Sequence, residues 1–210
     1  MVCVSIIESK IDKCIEILQQ CEMAELRLDK IQPKLSEIQK LLKFDIPIIA
    51  TCRSEKYNDE QRFEILKIAA KNGAAYIDIE IESTEDYCEK LKEIARKNNC
   101  KIIISYHNFE KTPDINELKN IIEQAKKHNA DLIKIVTTAQ TNNDVIRLLS
   151  LYETEKNIIA FAMGELGKSS RIESFKLGAP FIYAAFEEGQ ESAAGQMSML
   201  QVNEILKDLR

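Results

Sequence analysis

Histidine is scarce in this sequence, with His107 and His128 the only two in 210 residues. Two imidazoles cannot build a histidine-rich metal site. The six cysteines are scattered, with no Cys-x-x-Cys pair and no histidine at zinc spacing. In a reducing compartment such residues are buried small hydrophobes or free thiols. The sequence therefore predicts no metal site.

Basic residues are also in deficit, because 29 lysines and arginines face 34 acids and leave a net charge of -5. This balance argues against a general nucleic-acid surface but is compatible with a local cationic pocket for a small anion. No apolar run reaches transmembrane length. Glu8, Lys10 and Asp12 interrupt the N-terminal segment too early for a signal peptide. We expect a cytoplasmic protein that binds neither nucleic acid nor membrane.

Apolar, β-rich segments alternate with helical patterns along the whole chain. The predicted strands are residues 2–7, 23–28, 46–52, 76–81, 101–106, 131–137, 157–163 and 181–186, and the closing helix is 197–209. Eight strand–helix units with short connections predict an α/β fold, a (β/α)8 TIM barrel. An open doubly wound sheet is the alternative, but its usual glycine-rich turn after the first strand is missing. No linker divides the chain, so residues 1–210 are predicted to form a single catalytic domain.

The predicted sixth strand carries one lysine, Lys134, among apolar residues. Burying an ammonium without a partner is costly, so this lysine should pair, lose its proton or react. A buried neutral amine is the usual starting point for Schiff-base chemistry with a ketone or aldehyde. An edge strand that points Lys134 into water is the other interpretation, and this segment alone leaves both open.

Side-chain alternation predicts which polar residues face the barrel axis. Those on strands are Glu25, Arg27, Asp78, Glu80, Ser105, His107 and Lys134, and Arg53 and Arg171 follow strands three and seven. They gather at the C-terminal ends of the strands, where such barrels hold their active sites. An ion-pair network that braces the barrel mouth is the alternative. An imine-forming amine beside a proton-transfer group, Lys134 beside His107, favours catalysis.

Several short motifs occur in a specific order along the chain. They are Glu25-x-Arg27-x-Asp29, Arg53-Ser54, Asp78-x-Glu80, Ser105 to Phe109 followed by Thr112-Pro113, Lys134, Met163-Gly164, Gly167, Ser170-Arg171, and Ser192 to Gln196. With this set, the sequence resembles the type I 3-dehydroquinate dehydratase family over essentially its whole length. The resemblance implies a TIM-barrel homodimer of the shikimate pathway of aromatic amino acid biosynthesis. It also implies 3-dehydroquinate as the substrate and no metal or organic cofactor.

The resemblance also implies a role for each matching residue. Lys134 would form an imine with the C3 ketone, and His107 would move a proton from C2 to the departing C1 hydroxyl. The substrate's carboxylate would be held by Arg171, Ser192 and Gln196. Its ring hydroxyls would be held by Glu25, Arg27 and Arg53. The residues that would support the site are Asp78, Glu80, Phe109 and Met163. The sequence departs from the family pattern at residues 55–59, at Phe161 and in the loop 187–191.

Two other functions are compatible with a barrel lysine. A class I aldolase or transaldolase would need a phosphate site after strands seven and eight, where the turn from Gly164 to Gly167 and Arg171 would suit a phosphate or a carboxylate. A barrel that binds a carboxylic acid without turnover is the non-enzymatic alternative. Trapping of an imine on Lys134 would separate this last possibility from both enzymes.

Overall fold

Eight parallel strands form one sheet in the computed structural model, which describes residues 1–208. The strands are β1 Val2–Ile6, β2 Met23–Arg27, β3 Ile48–Thr51, β4 Tyr76–Glu80, β5 Lys101–Asn108, β6 Leu132–Thr138, β7 Ile158–Met163 and β8 Ile182–Ala185. They pair in the order β8-β1-β2-β3-β4-β5-β6-β7. Every predicted strand is present, and the prediction of a (β/α)8 barrel is confirmed.

Helices follow the strands along the chain. They are α1 Ile11–Leu18, α2 Leu28–Ile31, α3 Leu35–Leu41, α4 Asp59–Lys71, α5 Glu85–Lys97, α6 Ile115–Lys127, α7 Asn142–Leu149, α8 Ser170–Lys176 and α9 Met199–Asp208, with a 3-10 helix Ser150–Glu153 after α7. Asn58, Thr84, Asp114 and Thr141 cap their helices by accepting first-turn backbone N–H groups. Of the helices in residues 1–208, none combines the length and apolar character needed to cross a membrane.

Each strand differs from its prediction by one or two residues at one or both ends, and three of these differences have a clear local reason. The second strand ends at Arg27, because the next residues form the short helix α2, whose Asp29 accepts two hydrogen bonds from Arg27. The third strand begins only at Ile48, after Pro47, which has no N–H to donate to a ladder. The fifth extends to Asn108, because β6 pairs with it to that point. This extension places His107 on a strand.

The closing helix begins at Met199, two residues later than predicted. Ser198 caps it, since its hydroxyl accepts the N–H of Gln201 and its own N–H donates to the Gln201 side chain. The predicted end of this helix at residue 209 lies outside the described residues.

The barrel closes between β7 and β8 through side chains, since no ladder joins these two strands within residues 1–208. The rings of Phe161 on β7 and Tyr183 on β8 lie 6.4 Å apart across this seam. Above them, Gly164 donates its N–H to the carbonyl of Ala194 at 3.4 Å. Gly195 has a φ of +76°, and a Cβ there would lie 2.7 Å from the Gly164 oxygen. The segment 192–196 is thereby packed onto the barrel mouth.

Candidate active site

A charged cluster occupies the centre of the barrel. Lys134 on β6 is 5% exposed, and its Nζ lies 3.4 Å from Glu25 Oε1 on β2 and 3.4 Å from Asp78 Oδ2 on β4. Alternate strands of such a barrel contribute side chains to the same interior layer, which explains how β2, β4 and β6 bring these residues together. The lysine therefore pairs inside the barrel, and the interpretation as a solvent-facing edge residue is wrong.

Hydroxyl groups hold the Glu25 carboxylate. Ser5 donates to its Oε2 at 2.7 Å and Thr51 donates to its Oε1 at 2.9 Å. Burial raises the pKa of Glu25, but the positive charges of Lys134 and Arg27 outweigh that effect and lower the pKa below its ordinary value. Glu25 is thus an ionised partner for Lys134.

The Asp78 carboxylate is held more strongly than that of Glu25, by a bidentate ion pair with Arg53. Arg53 donates from Nη1 and Nη2 to the two carboxylate oxygens, both at 2.9 Å, and Ser105 donates to Oδ1 at 2.6 Å. Burial raises the pKa of Asp78, but Arg53 and Lys134 outweigh it and leave the pKa well below its usual range. Asp78 therefore fixes Arg53 and is an ionised partner for Lys134.

Tyr183 on β8 completes the surroundings of the lysine. Its ring centroid lies 4.1 Å from Lys134 Nζ, within the range of a cation–π contact. The residue is 3% exposed, and its hydroxyl has no hydrogen-bond partner in residues 1–208. Sequence reasoning missed Tyr183, because a tyrosine in an apolar strand resembles ordinary core. The rule that alternate strands share a layer could have found it, since β8 follows β2, β4 and β6.

His107 lies near the C-terminal end of β5, half-buried at the cavity wall. Phe109 stacks on its ring, with centroids 6.2 Å apart and planes 16° apart. Burial lowers the pKa of His107 well below its ordinary value, and the nearby cations Arg53 and Lys134 lower it further. The imidazole is therefore neutral at pH 7 and able to accept a proton.

Arg171, at the start of α8, is 2% exposed and has no carboxylate partner in the described chain. Its Nη2 donates to the carbonyl of Ala194 at 3.4 Å, its Cζ lies 4.3 Å from the ring of Phe161, and its Nε lacks a hydrogen-bond partner. Burial lowers the pKa of Arg171 to about 10. A buried guanidinium with an unused donor is a site for a small anion.

Ser192 and Gln196 face the cavity from the segment packed over the seam. The backbone N–H and the hydroxyl of Ser192 donate to Gln196 Oε1 at 2.7 and 3.0 Å. The Gln196 amide in turn donates to the Ser5 hydroxyl at 3.4 Å. Ser5, a second residue missed from the sequence, thus links this segment to Glu25.

These groups surround one cavity of about 270 Å³. All the predicted site residues except Asp78 line it: Glu25, Arg27, Arg53, Glu80, His107, Phe109, Lys134, Met163, Arg171, Ser192 and Gln196. Asp78 is buried behind the cavity lining, where it contacts Arg53 and Lys134. Lys30 and Glu55, which the prediction did not include, form an ion pair at the rim. In residues 1–208, no three His, Cys, Asp or Glu side chains are grouped in a way that could hold a metal ion.

Known proteins share this architecture over its full extent. The model of the type I 3-dehydroquinase family matches residues 2–210. A 3-dehydroquinate dehydratase from Dehalococcoides mccartyi is 39% identical and covers 88% of this chain and 85% of its own length. One from Methanococcus maripaludis is 36% identical and covers 99% of both. The crystal structure of type I 3-dehydroquinate dehydratase from Clostridium difficile, with covalent modified comenic acid, has 25% identity and a TM-score of 0.88 over 99% of this chain and 91% of that one.

Proposed function

The chain belongs to the type I 3-dehydroquinase family, and from this premise we propose that it is a 3-dehydroquinate dehydratase acting through a Schiff base on Lys134. It would be a hydro-lyase of the shikimate pathway, in aromatic amino acid biosynthesis, that removes water from 3-dehydroquinate to give 3-dehydroshikimate. One observation carries the proposal: the same cavity is lined by the buried amine of Lys134, the neutral imidazole of His107 and the buried guanidinium of Arg171. Dehydration of a hydroxylated keto acid through an imine would use all three: the amine to bind the ketone, the imidazole to move a proton and the guanidinium to bind the carboxylate.

Imine formation is the first step of the proposed reaction. The Lys134 amine, after passing a proton to a neighbouring base, attacks the C3 carbonyl carbon, and the resulting carbinolamine loses its oxygen as water. The product is a protonated imine at the position of Nζ. Glu25 and Asp78, both ionised and 3.4 Å from Nζ, stabilise that positive charge, as does the face of Tyr183.

Proton transfer at C2 follows. His107 accepts a C2 proton, and the electron pair left behind moves into the imine as an enamine. His107 then returns the proton to the C1 hydroxyl, which leaves as water in a net syn elimination. Hydrolysis of the imine releases the product and restores Lys134. The lowered pKa of His107 supports its assignment as the base, because the imidazole enters the cycle without a proton.

Substrate binding is assigned by charge. The buried guanidinium of Arg171 matches the carboxylate, with Ser192 and Gln196 beside it. Arg27 and Arg53, with Glu25, would hold the ring hydroxyls at the opposite wall. Asp78, Glu80, Phe109 and Met163 would support these groups. In this proposal the protonated imine is the electron sink, so no metal or organic cofactor takes part.

The proposal extends to the domain organisation, the location and the oligomeric state, of which the last follows from the family resemblance. We propose a single catalytic domain over residues 1–210, a cytoplasmic location and a homodimer. The only partner proposed beyond the second subunit is the small-molecule substrate, with no role for nucleic acid or membrane.

Two measurements test the function. On addition of 3-dehydroquinate, a rise in ultraviolet absorbance should report the conjugated product. Borohydride added during turnover should attach one substrate-derived mass to the chain, at Lys134 by peptide mapping. An adduct without absorbance change would favour a non-dehydratase Schiff-base enzyme such as a class I aldolase, and binding with neither signal would favour a carboxylic-acid-binding barrel.

A further inference from the structure

The guanidinium of Arg62 is buried outside the cavity, on the first turns of α4. The residue is 4% exposed, and each end of its guanidinium has a different partner. Nε donates to the carbonyl of Cys52 at 3.1 Å, Nη2 donates to Glu80 at 2.6 Å, and Nη1 donates to Asp59 at 3.1 Å. Its Cζ lies 5.6 Å from the centroid of the Tyr87 ring on α5. Arg62 is thus held on several sides and has little freedom to move.

One of these partners lines the cavity, and another is the chain neighbour of a residue that does. Cys52 directly precedes Arg53, which lines the cavity and grips Asp78. Glu80 is the last residue of β4 and also lines the cavity. One side chain from the outer helical layer therefore connects α4 to the C-terminal ends of both β3 and β4.

If Arg62 did not pair with the Glu80 carboxylate, that carboxylate would have Arg53 as another cation nearby. Both residues line the same cavity. Burial lowers the pKa of Arg53, but the negative charges of Asp78 and then of Glu80 outweigh it and raise the pKa. A carboxylate that turned onto Arg53 would compete with the substrate for its guanidinium. The contact with Arg62 keeps Glu80 at the wall.

We propose that Arg62 is a positioning residue, which holds the Glu80 carboxylate and the Cys52 peptide so that Arg53 stays available to the substrate. The inference rests on the proposed function for its kinetic consequences. Arg62 touches no reacting atom, so its removal acts on substrate affinity and not on the imine chemistry.

A double-mutant cycle tests this role. Arg62→Met should raise KM by about tenfold, an ordinary coupling within a hydrogen-bonded network, and leave kcat within about twofold. In the Glu80→Gln background the same change should have little further effect on KM, because a neutral amide has no charge to compete for Arg53. Asp59→Asn is the matched control, since it removes only the exposed partner of Arg62 and should leave KM unchanged.

Crystal structures of the same variants provide a readout that does not depend on turnover. In Arg62→Met, the Glu80 carboxylate should move to within hydrogen-bond distance of Arg53. An unmoved Glu80, or an equal rise of KM in both backgrounds, would overturn the inference. If wild-type protein shows no dehydratase turnover, the proposed function fails instead, and the position of Glu80 alone decides the role of Arg62. If Arg62→Met does not fold, Arg62→Gln replaces it in the same cycle with the same outcomes, because glutamine is polar but carries no charge to hold the Glu80 carboxylate.

Discussion

Lys134 Nζ lies 3.4 Å from Glu25 Oε1 in the centre of the barrel, although the two residues are 109 positions apart in the sequence. Asp78 Oδ2 lies at the same distance, 3.4 Å, from this nitrogen. Both contacts are longer than the usual 2.7–3.2 Å of a protein N–H···O hydrogen bond. The lysine is therefore paired electrostatically but held loosely. Such a nitrogen can turn toward a carbonyl carbon without first breaking a tight hydrogen bond.

Replacement of Lys134 by methionine should abolish turnover and borohydride trapping together. Among the described residues that line the cavity, the one other amine belongs to Lys30, and methionine retains much of the side-chain volume of Lys134. Mass spectrometry after reduction in the presence of 3-dehydroquinate provides the measurement. Lys30→Met is the control, because Lys30 is a second cavity lysine but sits at the rim in an ion pair with Glu55, and this variant should still form the adduct. An adduct that persisted in Lys134→Met would place the imine elsewhere.

Replacement of His107 by alanine should separate imine formation from proton transfer. The ketone can still reach Lys134, so a trappable imine should remain, while kcat falls by roughly 100- to 10,000-fold, as is typical of losing a positioned acid–base group. Trapping yield and steady-state kinetics on the same sample test this. His128→Ala, at the C-terminal end of α6, is the matched control and should behave as wild type. Near-normal turnover in His107→Ala would assign the proton transfer to another group.

The pH dependence of kcat/KM should reflect the environment of His107. Its pKa is lowered by burial and by Arg53 and Lys134, so the neutral, proton-accepting form persists at pH values where an ordinary histidine is already charged. The acid limb of the profile should therefore lie below the ordinary histidine value of about 6.5. Kinetics from pH 4.5 to 8 with a circular-dichroism check of folding test this. An acid limb above that value would contradict a neutral base in the free enzyme.

The regular parts of the site were predictable from the sequence. Side-chain alternation on β2, β4, β5 and β6 correctly predicted that Glu25, Asp78, His107 and Lys134 face the interior, because a strand leaves its side chains only two directions. Hydrophobic periodicity predicted the eight strands and the helices that alternate with them, but not the short helix α2 or the 3-10 helix after α7.

Other contacts in the site could not be predicted, because the alternation of side chains along a strand does not specify their partners on other strands and helices. Asp78 and Glu80 share a face of β4 but have different partners. Asp78 contacts Lys134 inside the barrel, whereas Glu80, the last residue of the strand, pairs with Arg62. Nothing in the local sequence distinguishes Arg62 from an ordinary exposed charge on a helix. Tyr183 resembled core, and its contact with Lys134 depends on how β8 sits across the open seam from β7.

Acid should destabilise the protein through Asp78. Its folded-state pKa is lowered, so its contribution to stability is fully present above the unfolded-state value of about 3.9 and is lost as the pH falls through the lower folded value. Asp78→Asn should lower Tm at pH 7 and should show a smaller further loss below pH 4 than wild type. Thermal unfolding followed by circular dichroism between pH 2.5 and 7 measures both effects. Asp86→Asn, an exposed partner of Lys90 on α5, should follow the wild-type curve. Parallel curves for wild type and Asp78→Asn would show that this ion pair does not control acid stability.

Arg171 should contribute to function at the expense of stability. Its pKa is lowered to about 10 by burial, so the folded state disfavours the charged guanidinium, and that penalty is present at pH 7 and relieved only as the pH rises through the folded value. Arg171→Leu should therefore raise Tm by a few degrees, since 1 kcal/mol corresponds to about 2–4 °C in a chain of this size. The same change should lower kcat/KM by the equivalent of about 2–5 kcal/mol, because a charge-assisted contact to the carboxylate is lost. Arg171→Lys should recover only part of kcat/KM, because an ammonium lacks the planar fork.

Arg27 provides the contrast that makes this prediction specific. It also lines the cavity, but it has a carboxylate partner: Asp29 accepts its Nε and Nη2 donors at 3.1 and 2.8 Å. Burial lowers the pKa of Arg27, and the hydrogen bonds to Asp29 and the charge of Glu25 outweigh it, so the net pKa is raised. Arg27→Leu should therefore lower Tm, because Asp29 would be left buried without its cation. Calorimetry at pH 7 on both leucine variants measures the difference. A fall in Tm for Arg171→Leu equal to that for Arg27→Leu would mean that the Arg171 guanidinium stabilises the barrel rim and is not kept there for a substrate anion.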